Sequence, residues 1–257
     1  MVKKFMALLR MKYIEMFAYQ WATLAWSTGA MVQPIITMMV WINIYETEME
    51  SFILYFSTLI LVERLTAAWD VWDLDRDIRE GSFSNYILRP IHPIHWAIAE
   101  NIIYKGLFLV VLVPAWLVSS FFLPSLQLHL NGWEWMLFIS ALLLGGGIRF
   151  MFSYSCGLLG FWINKVTAVY AMFEGISLFF SGRIAPFSLL PPIMQDISLY
   201  LPFRYMIGFP IEVITGSVKG ADLGYGFLGA FIWVLIFMGI LGFLWHAGLK
   251  KNQAVGG

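Results

Sequence analysis

The sequence predicts an all-α polytopic membrane protein: six transmembrane helices, an N-terminal amphipathic interfacial helix, and short re-entrant helices before the last span. Three observations predict it. Of the 257 residues, 60% are hydrophobic and only 12% charged, with a mean hydropathy of +0.75. Soluble domains carry about 25% charge, so this composition suits a chain whose solvent is largely lipid. Next, six apolar runs lie at about 21 to 44, 51 to 72, 98 to 123, 133 to 162, 164 to 182 and 224 to 247, near the roughly 20 residues that cross a bilayer core. Last, Lys and Arg segregate between alternate loops. One set of segments holds Lys3, Lys4, Arg10, Lys12, Arg76, Arg79, Arg89, Lys165, Lys250 and Lys251, and the other only Arg183, Arg204 and Lys219. By the positive-inside rule both termini are cytoplasmic.

The elements follow in order. Residues 1–19 read as an interfacial helix with Val2, Phe5, Met6, Leu9, Tyr13, Met16 and Phe17 on one face and Lys4, Lys12 and Glu15 opposite. Arg10, Lys12 and Glu15 interrupt what would be the apolar core of a secretory signal, so the segment is expected to stay on the mature protein. Residues 21–182 hold spans one to five, with a cytoplasmic loop at 73–93. Trp21, Trp26, Trp41, Trp133 and Trp135 fall near predicted membrane interfaces, where amphipathic rings prefer to lie. Gly145, Gly146, Gly147, Gly157 and Gly160 give span four a smooth strip for close helix approach. Residues 183–223 carry Pro186, Pro191, Pro192, Pro202 and Pro210 among apolar runs. Broken helices dipping into the outer leaflet reconcile those prolines with that apolarity. Span six, at 224–247, completes a single transmembrane domain. Net charge is zero, so no basic excess argues for nucleic acid. The one cysteine, Cys156, allows no internal disulfide. His92 and His95 alone make no metal site.

The stretch "DVWDLDRDIREGSFSNYILRPIHP", Asp70 to Pro93, packs five acids and three arginines between two apolar runs. Gly81 and Ser82 can start a short helix that Pro90 and Pro93 stop, and Phe83, Tyr86 and Ile87 then share one side at i, i+3, i+4. An aromatic face among mixed charges suits insertion into a groove on another protein.

The N-terminal helix, the six spans, "DIREGSFSNYILRP" after the second span and "LLPPIMQDISLYLPFRYMIGFPIEVITG" before the last together resemble a permease subunit of the type-2 ATP-binding-cassette (ABC) exporter family. The resemblance covers nearly the whole chain. It implies that the loop is a coupling helix docking on a separate ATPase through Asp77, Arg79, Glu80, Phe83, Tyr86, Ile87 and Arg89. It also implies that two permease subunits, a related pair in preference to identical copies, enclose the path in a prokaryotic inner membrane. No G-x-x-x-x-G-K-[ST] loop occurs, and "GLLGFWINK" has the wrong spacing. ATP and Mg are therefore expected on partner chains, with no cofactor and no catalytic residue here.

Glu63 and Arg64 fall in span two, Arg149 in span four and Glu174 in span five, all near mid-membrane. A lone charge there costs at least about 2.5 to 3.5 kcal/mol, so the four are expected to pair, as Glu63 with Arg149 and Arg64 with Glu174 or swapped, or to line a path. An ion-coupled carrier or channel using those charges is the alternative function, though no inverted repeat supports it. An intramembrane enzyme ranks lower, since no G-x-S-x-G or H-E-x-x-H motif is present.

Overall fold

The computed structural model describes residues 2–19, 21, 25, 28–29 and 31–251. The described chain is all-helical: α1 (Val2–Ala18), α2 (Val32–Ile44), α3 (Met49–Thr66), α4 (Asp70–Arg79), α5 (Phe83–Ile87), α6 (Ile94–Phe122), α7 (Gly132–Leu158), α8 (Val166–Phe180), α9 (Pro192–Tyr200), a π-turn at Arg204–Gly208 running into α10 (Phe209–Ile214), and α11 (Gly220–Leu249).

Among the described residues, four stretches are long and apolar enough to cross a membrane: Glu46–Arg79, Ile94–Phe122, Gly132–Phe161 and Gly220–Leu249. They match the second, third, fourth and sixth predicted runs. Pro192–Tyr200 and Arg204–Ile214, bent by 85°, make a fifth if taken as one span. By length the fold therefore offers four or five spans where the sequence predicts six. The first predicted run is helical over Val32–Ile44, while 22–24, 26, 27 and 30 lie outside the described residues, Trp26 among them. The fifth run is cut to α8, about 22 Å at 1.5 Å per residue. Gly182, at φ +83°, turns the chain just beyond its end.

α7 is the hub. It starts with a reciprocal cap, in which the Glu134 N–H donates to Asn131 Oδ1 and the Asn131 N–H to Glu134 Oε2, both at 2.9 Å. Its body packs on α3, α4, α10, the π-turn and α11. Glycine permits two of these contacts. A Cβ on Gly145 would lie 2.8 Å from the carbonyl oxygens of Tyr205 and Met206, and one on Gly157 would lie 2.7 Å from Leu74. The predicted strip is not uniform, because Gly147 faces open space. In the core, Phe152 of α7 meets the rings of Tyr170, Phe173, Phe203 and Phe237 at 5.6 to 6.1 Å.

The second predicted span is broken. α3 ends at Thr66, Ala67 is extended (φ −50°, ψ 141°), and α4 begins at Asp70. A break leaves carbonyls at the end of one helix and N–H groups at the start of the next without partners. α7 supplies both. Arg149 Nη1 donates to the Glu63 carbonyl and to Thr66 Oγ1, each at 3.3 Å, and the Val71 N–H donates to Ser153 Oγ at 3.2 Å. Residues 149 and 153 are one turn apart on the same face of α7. The arginine also sits at a helix C-terminus, where positive charge is favoured.

α1 packs along α6 through Leu8, Lys12 and Met16. Of the predicted apolar face, Val2, Met6, Tyr13 and Phe17 are exposed and Met16 is buried. Lys12 lies on the packed side because its Nζ finds Glu100 at 2.8 Å on α6 and Glu15 at 3.1 Å on α1. In the proline-rich region, Pro191 and Pro192 open α9, Pro210 opens α10, and Pro202 lies in the bend. The π-turn residues Tyr205 to Gly208 and all of α10 are buried. Trp41 is a half-buried anchor, its Nε1 donating to the Ile184 carbonyl at 2.7 Å.

Candidate functional site

The loop after the second span forms a braced tip. Gly81, at φ +76°, lets the chain reverse between α4 and α5, a conformation that costs glycine little. The Gly81 N–H donates to the Ile78 carbonyl at 3.2 Å, and Ser82 Oγ lies 3.2 Å from Asp77 Oδ1. Along α4, Arg76 pairs with Asp73 at 2.9 Å and Arg79 with Asp75 at 3.3 Å. Much of the charge in this stretch is thus matched within its own helix.

The predicted aromatic docking face is reorganised. Phe83 is 1% exposed and packs with Leu74, Tyr154 and Leu158, with Phe161 and Trp245 edge-on to its ring. It is an anchor. Tyr86 is half-buried against Trp96, and the Arg89 guanidinium lies over both rings, 5.0 Å from the first and 4.6 Å from the second. Ile87 stays exposed, and Leu88, which sequence reasoning did not single out, is 84% exposed. The signal for Leu88 was the following Arg-Pro, which ends the helix and removes the next turn it could pack on. Glu80, Ile87, Leu88 and Arg89 form the outer surface of the tip, while Asp77 and Phe83 hold it from behind.

Behind the tip lies a polar cavity of about 300 Å³ between α1, α4, α5 and α6, lined by Lys12, Asp70, Asp73, Tyr86 and Glu100 among others. Burial pulls the Lys12 ammonium down, but the bonds to Glu100 and Glu15 outweigh it and leave the group above its ordinary value. Burial, then the Asp77 charge, pushes the Tyr86 phenol up. Burial and the neighbouring His95 lower His92.

The membrane-embedded charges form a different network from the one the sequence suggests. Glu63 and Glu174 are both held by Arg183, a residue placed by sequence in an outer loop. Its Nη1 donates to Glu174 Oε2 at 2.8 Å, and its Nε lies 3.1 Å from Glu63 Oε1 without aiming its N–H there. The Gly182 turn folds Arg183 back beneath α8, nine residues after Glu174. Arg149 is occupied with the α3 break, and Arg64, half-buried, has no ion pair among the described residues. Neither predicted arrangement forms, because Arg183 takes both carboxylates and Arg149 bonds to the end of α3. A second buried pair, Arg204 with Glu212 at 2.8 Å, braces the π-turn against α10.

A protein-family model described as ABC-2 family transporter protein matches residues 31–256. No curated protein matches the chain. The matched stretch runs from before α2 through α11, so it takes in the braced tip, the α3 break and the buried charge network alike. Members of this family are membrane transport components and not themselves catalysts. On that match, this chain belongs to the ABC-2 family of transporter proteins and is a multi-pass transmembrane permease.

Proposed function

We propose that this permease is the membrane subunit of an ATP-driven exporter in a prokaryotic inner membrane. Separate ATPase subunits, which bind the ATP and Mg, dock on the α4–α5 tip. With a second permease subunit, a related chain in preference to a copy, it encloses the path of a hydrophobic or amphipathic substrate. Nucleotide-driven movement of the tip then shifts the bundle between its two access states. α2 and α8 complete six crossings, and the bent α9–α10 segment dips into the outer leaflet as a re-entrant element.

One observation carries this reading. Ile87, at the end of a five-residue helix that Phe83 pins from behind, and Leu88 just beyond it stand out as an apolar knob. Burying such a knob is what a partner groove offers, and a pinned one transmits force where a loose loop would absorb it. The C-terminal end of α11 lies at the same end of the bundle, with Trp245 4.2 Å from His92 and the Lys251 ammonium over Trp162. That proximity supports a shared cytoplasmic side for the loop and the end of α11, in keeping with their Lys and Arg content.

The test is co-purification of the tagged chain with its ATPase, comparing Leu88→Glu with Phe83→Ala. Leu88→Glu is expected to lose the ATPase while melting within about 0.5 kcal/mol of wild type, as exposed substitutions do. Phe83→Ala is expected to lose about 3 kcal/mol of stability, the cost of an emptied aromatic site. Retention of a fully stimulated ATPase by Leu88→Glu would move the docking site elsewhere, and absence of any ATPase from folded wild type would end the ATP-driven reading.

A further inference from the structure

α6 and α7 each pack on α3, yet an open groove of about 890 Å³ separates them. Leu, Ile, Val, Phe and Trp side chains line nearly all of it. Its wall along α6 runs from Ile98 to Ser120, about 33 Å at helical rise, against about 15 Å for one leaflet of a 30 Å core. Near one end is Lys105. Its ammonium rests against α7, 3.9 Å from where a Gly146 side chain would begin, so it lies across the groove floor and does not reach outward along the surface. Among the described residues Lys105 has no ion pair. Asp70 on α4 is near enough for its charge to act on Lys105, but it makes no salt bridge to it and takes its hydrogen bonds from Asn101 at 3.1 and 3.3 Å. Gly147 adds no side chain to the groove, and a Cβ there would meet nothing within 4 Å.

We propose that this groove is a binding site for one anionic phospholipid, its phosphate at Lys105 and an acyl chain lying along α6 towards Trp116 and Trp135. The occupant follows from charge complementarity. An apolar trough with one unpaired ammonium at its end fits an amphiphile carrying a negative head and an apolar tail. A zwitterionic lipid leaves the ammonium without a net counter-charge. A segment of a second protein would need an acid projecting from an apolar helix at the same depth, a rare residue in a membrane span. The site lies between α6 and α7, apart from the proposed docking tip and from the Arg183 network, and it does not depend on the exporter reading.

Native mass spectrometry of the full chain in mild detergent tests it, titrating phosphatidylglycerol and phosphatidylcholine with the same acyl chains. Wild type should take its first phosphatidylglycerol at about fivefold lower concentration than phosphatidylcholine, the worth of one basic residue at an anionic surface. Lys105→Gln should abolish that preference. Gly147→Phe, which puts a ring into the groove from a position where a Cβ meets nothing within 4 Å, should remove the first adduct of either lipid while the thermal melt stays put. Equal uptake of both lipids by wild type, or an unchanged adduct in Gly147→Phe, overturns the proposal. If Gly147→Phe changes the oligomeric state and not the lipid count, the groove is a protein interface and the proposal falls.

Discussion

Arg149 on α7 donates a hydrogen bond to the main-chain carbonyl of Glu63 at 3.3 Å, and not to the Glu63 carboxylate. The distinction sets the residue's job. An arginine bonded to a helix end repairs backbone that the α3 break leaves without partners, which is a requirement of the fold inside lipid.

Arg149→Met should therefore destabilise the chain by about 2 to 3 kcal/mol, the cost of leaving buried acceptors unmet. Ser153→Ala, which removes the other repair at Val71, should cost about 1 kcal/mol. Thermal unfolding in detergent measures both. A stable Arg149→Met protein that no longer transports would instead make this arginine part of the path.

Arg183 stands between Glu63 and Glu174, so Arg183→Gln strands one buried and one half-buried carboxylate. A loss of about 3 to 5 kcal/mol is expected, as for other buried pairs broken on one side. Combining it with Glu174→Gln should cost clearly less than the sum of the two single changes. Additive losses in that double-mutant cycle would show that the 2.8 Å contact carries no coupling.

Lys12 provides the pH prediction. Its folded pKa is raised above the ordinary 10.5, so its contribution is fully present below that value and is lost as pH rises through the folded pKa. Protection of α1 amides from hydrogen exchange should stay level from neutral pH to about 10 and fall only above it. Lys12→Met should lose that protection already at neutral pH. A loss of protection in wild type between pH 7 and 9 would mean that something other than Lys12 controls the docking of α1.

The two neighbouring glycines of α7 should part company. Gly145→Ala drives a methyl to 2.8 Å from two carbonyl oxygens of the π-turn and should cost about 1 to 3 kcal/mol. Gly147→Ala meets nothing and should melt at or slightly above wild type, given alanine's better helix propensity. Equal melting of the two variants would show that the π-turn can shift away from α7.

The long apolar helices were legible because hydropathy over 20 residues reports solvent directly, and α6, α7 and α11 fall within a few residues of their predicted runs. The break at 67–69 was not, because Ala67, Ala68 and Trp69 are as apolar as a continuous span. Only the backbone partners at Arg149 and Ser153, some 80 residues away, reveal it. Arg183 was missed for a related reason. Depth was counted along the chain, and the left-handed turn at Gly182 returns the chain to a depth already passed. At the tip, i, i+3, i+4 spacing grouped Phe83, Tyr86 and Ile87, but in a helix of barely one turn the reversal at Gly81 decides which residue faces inward. Phe83 went in, and Leu88, beyond the helix, was left out.

The α3 break also sets an order of events during synthesis. When residues 49–79 leave the ribosome, the side chains that satisfy residues 63, 66 and 71 have not been made. At 5 to 20 residues per second, Arg149 follows Trp69 by about 4 to 16 seconds, and Arg183 reaches Glu63 later still. Through that interval the second apolar stretch cannot rest in lipid with its joint exposed. It must be kept hydrated or shielded by the insertion machinery until α7 arrives, which makes the first half of this chain a client that waits for the second.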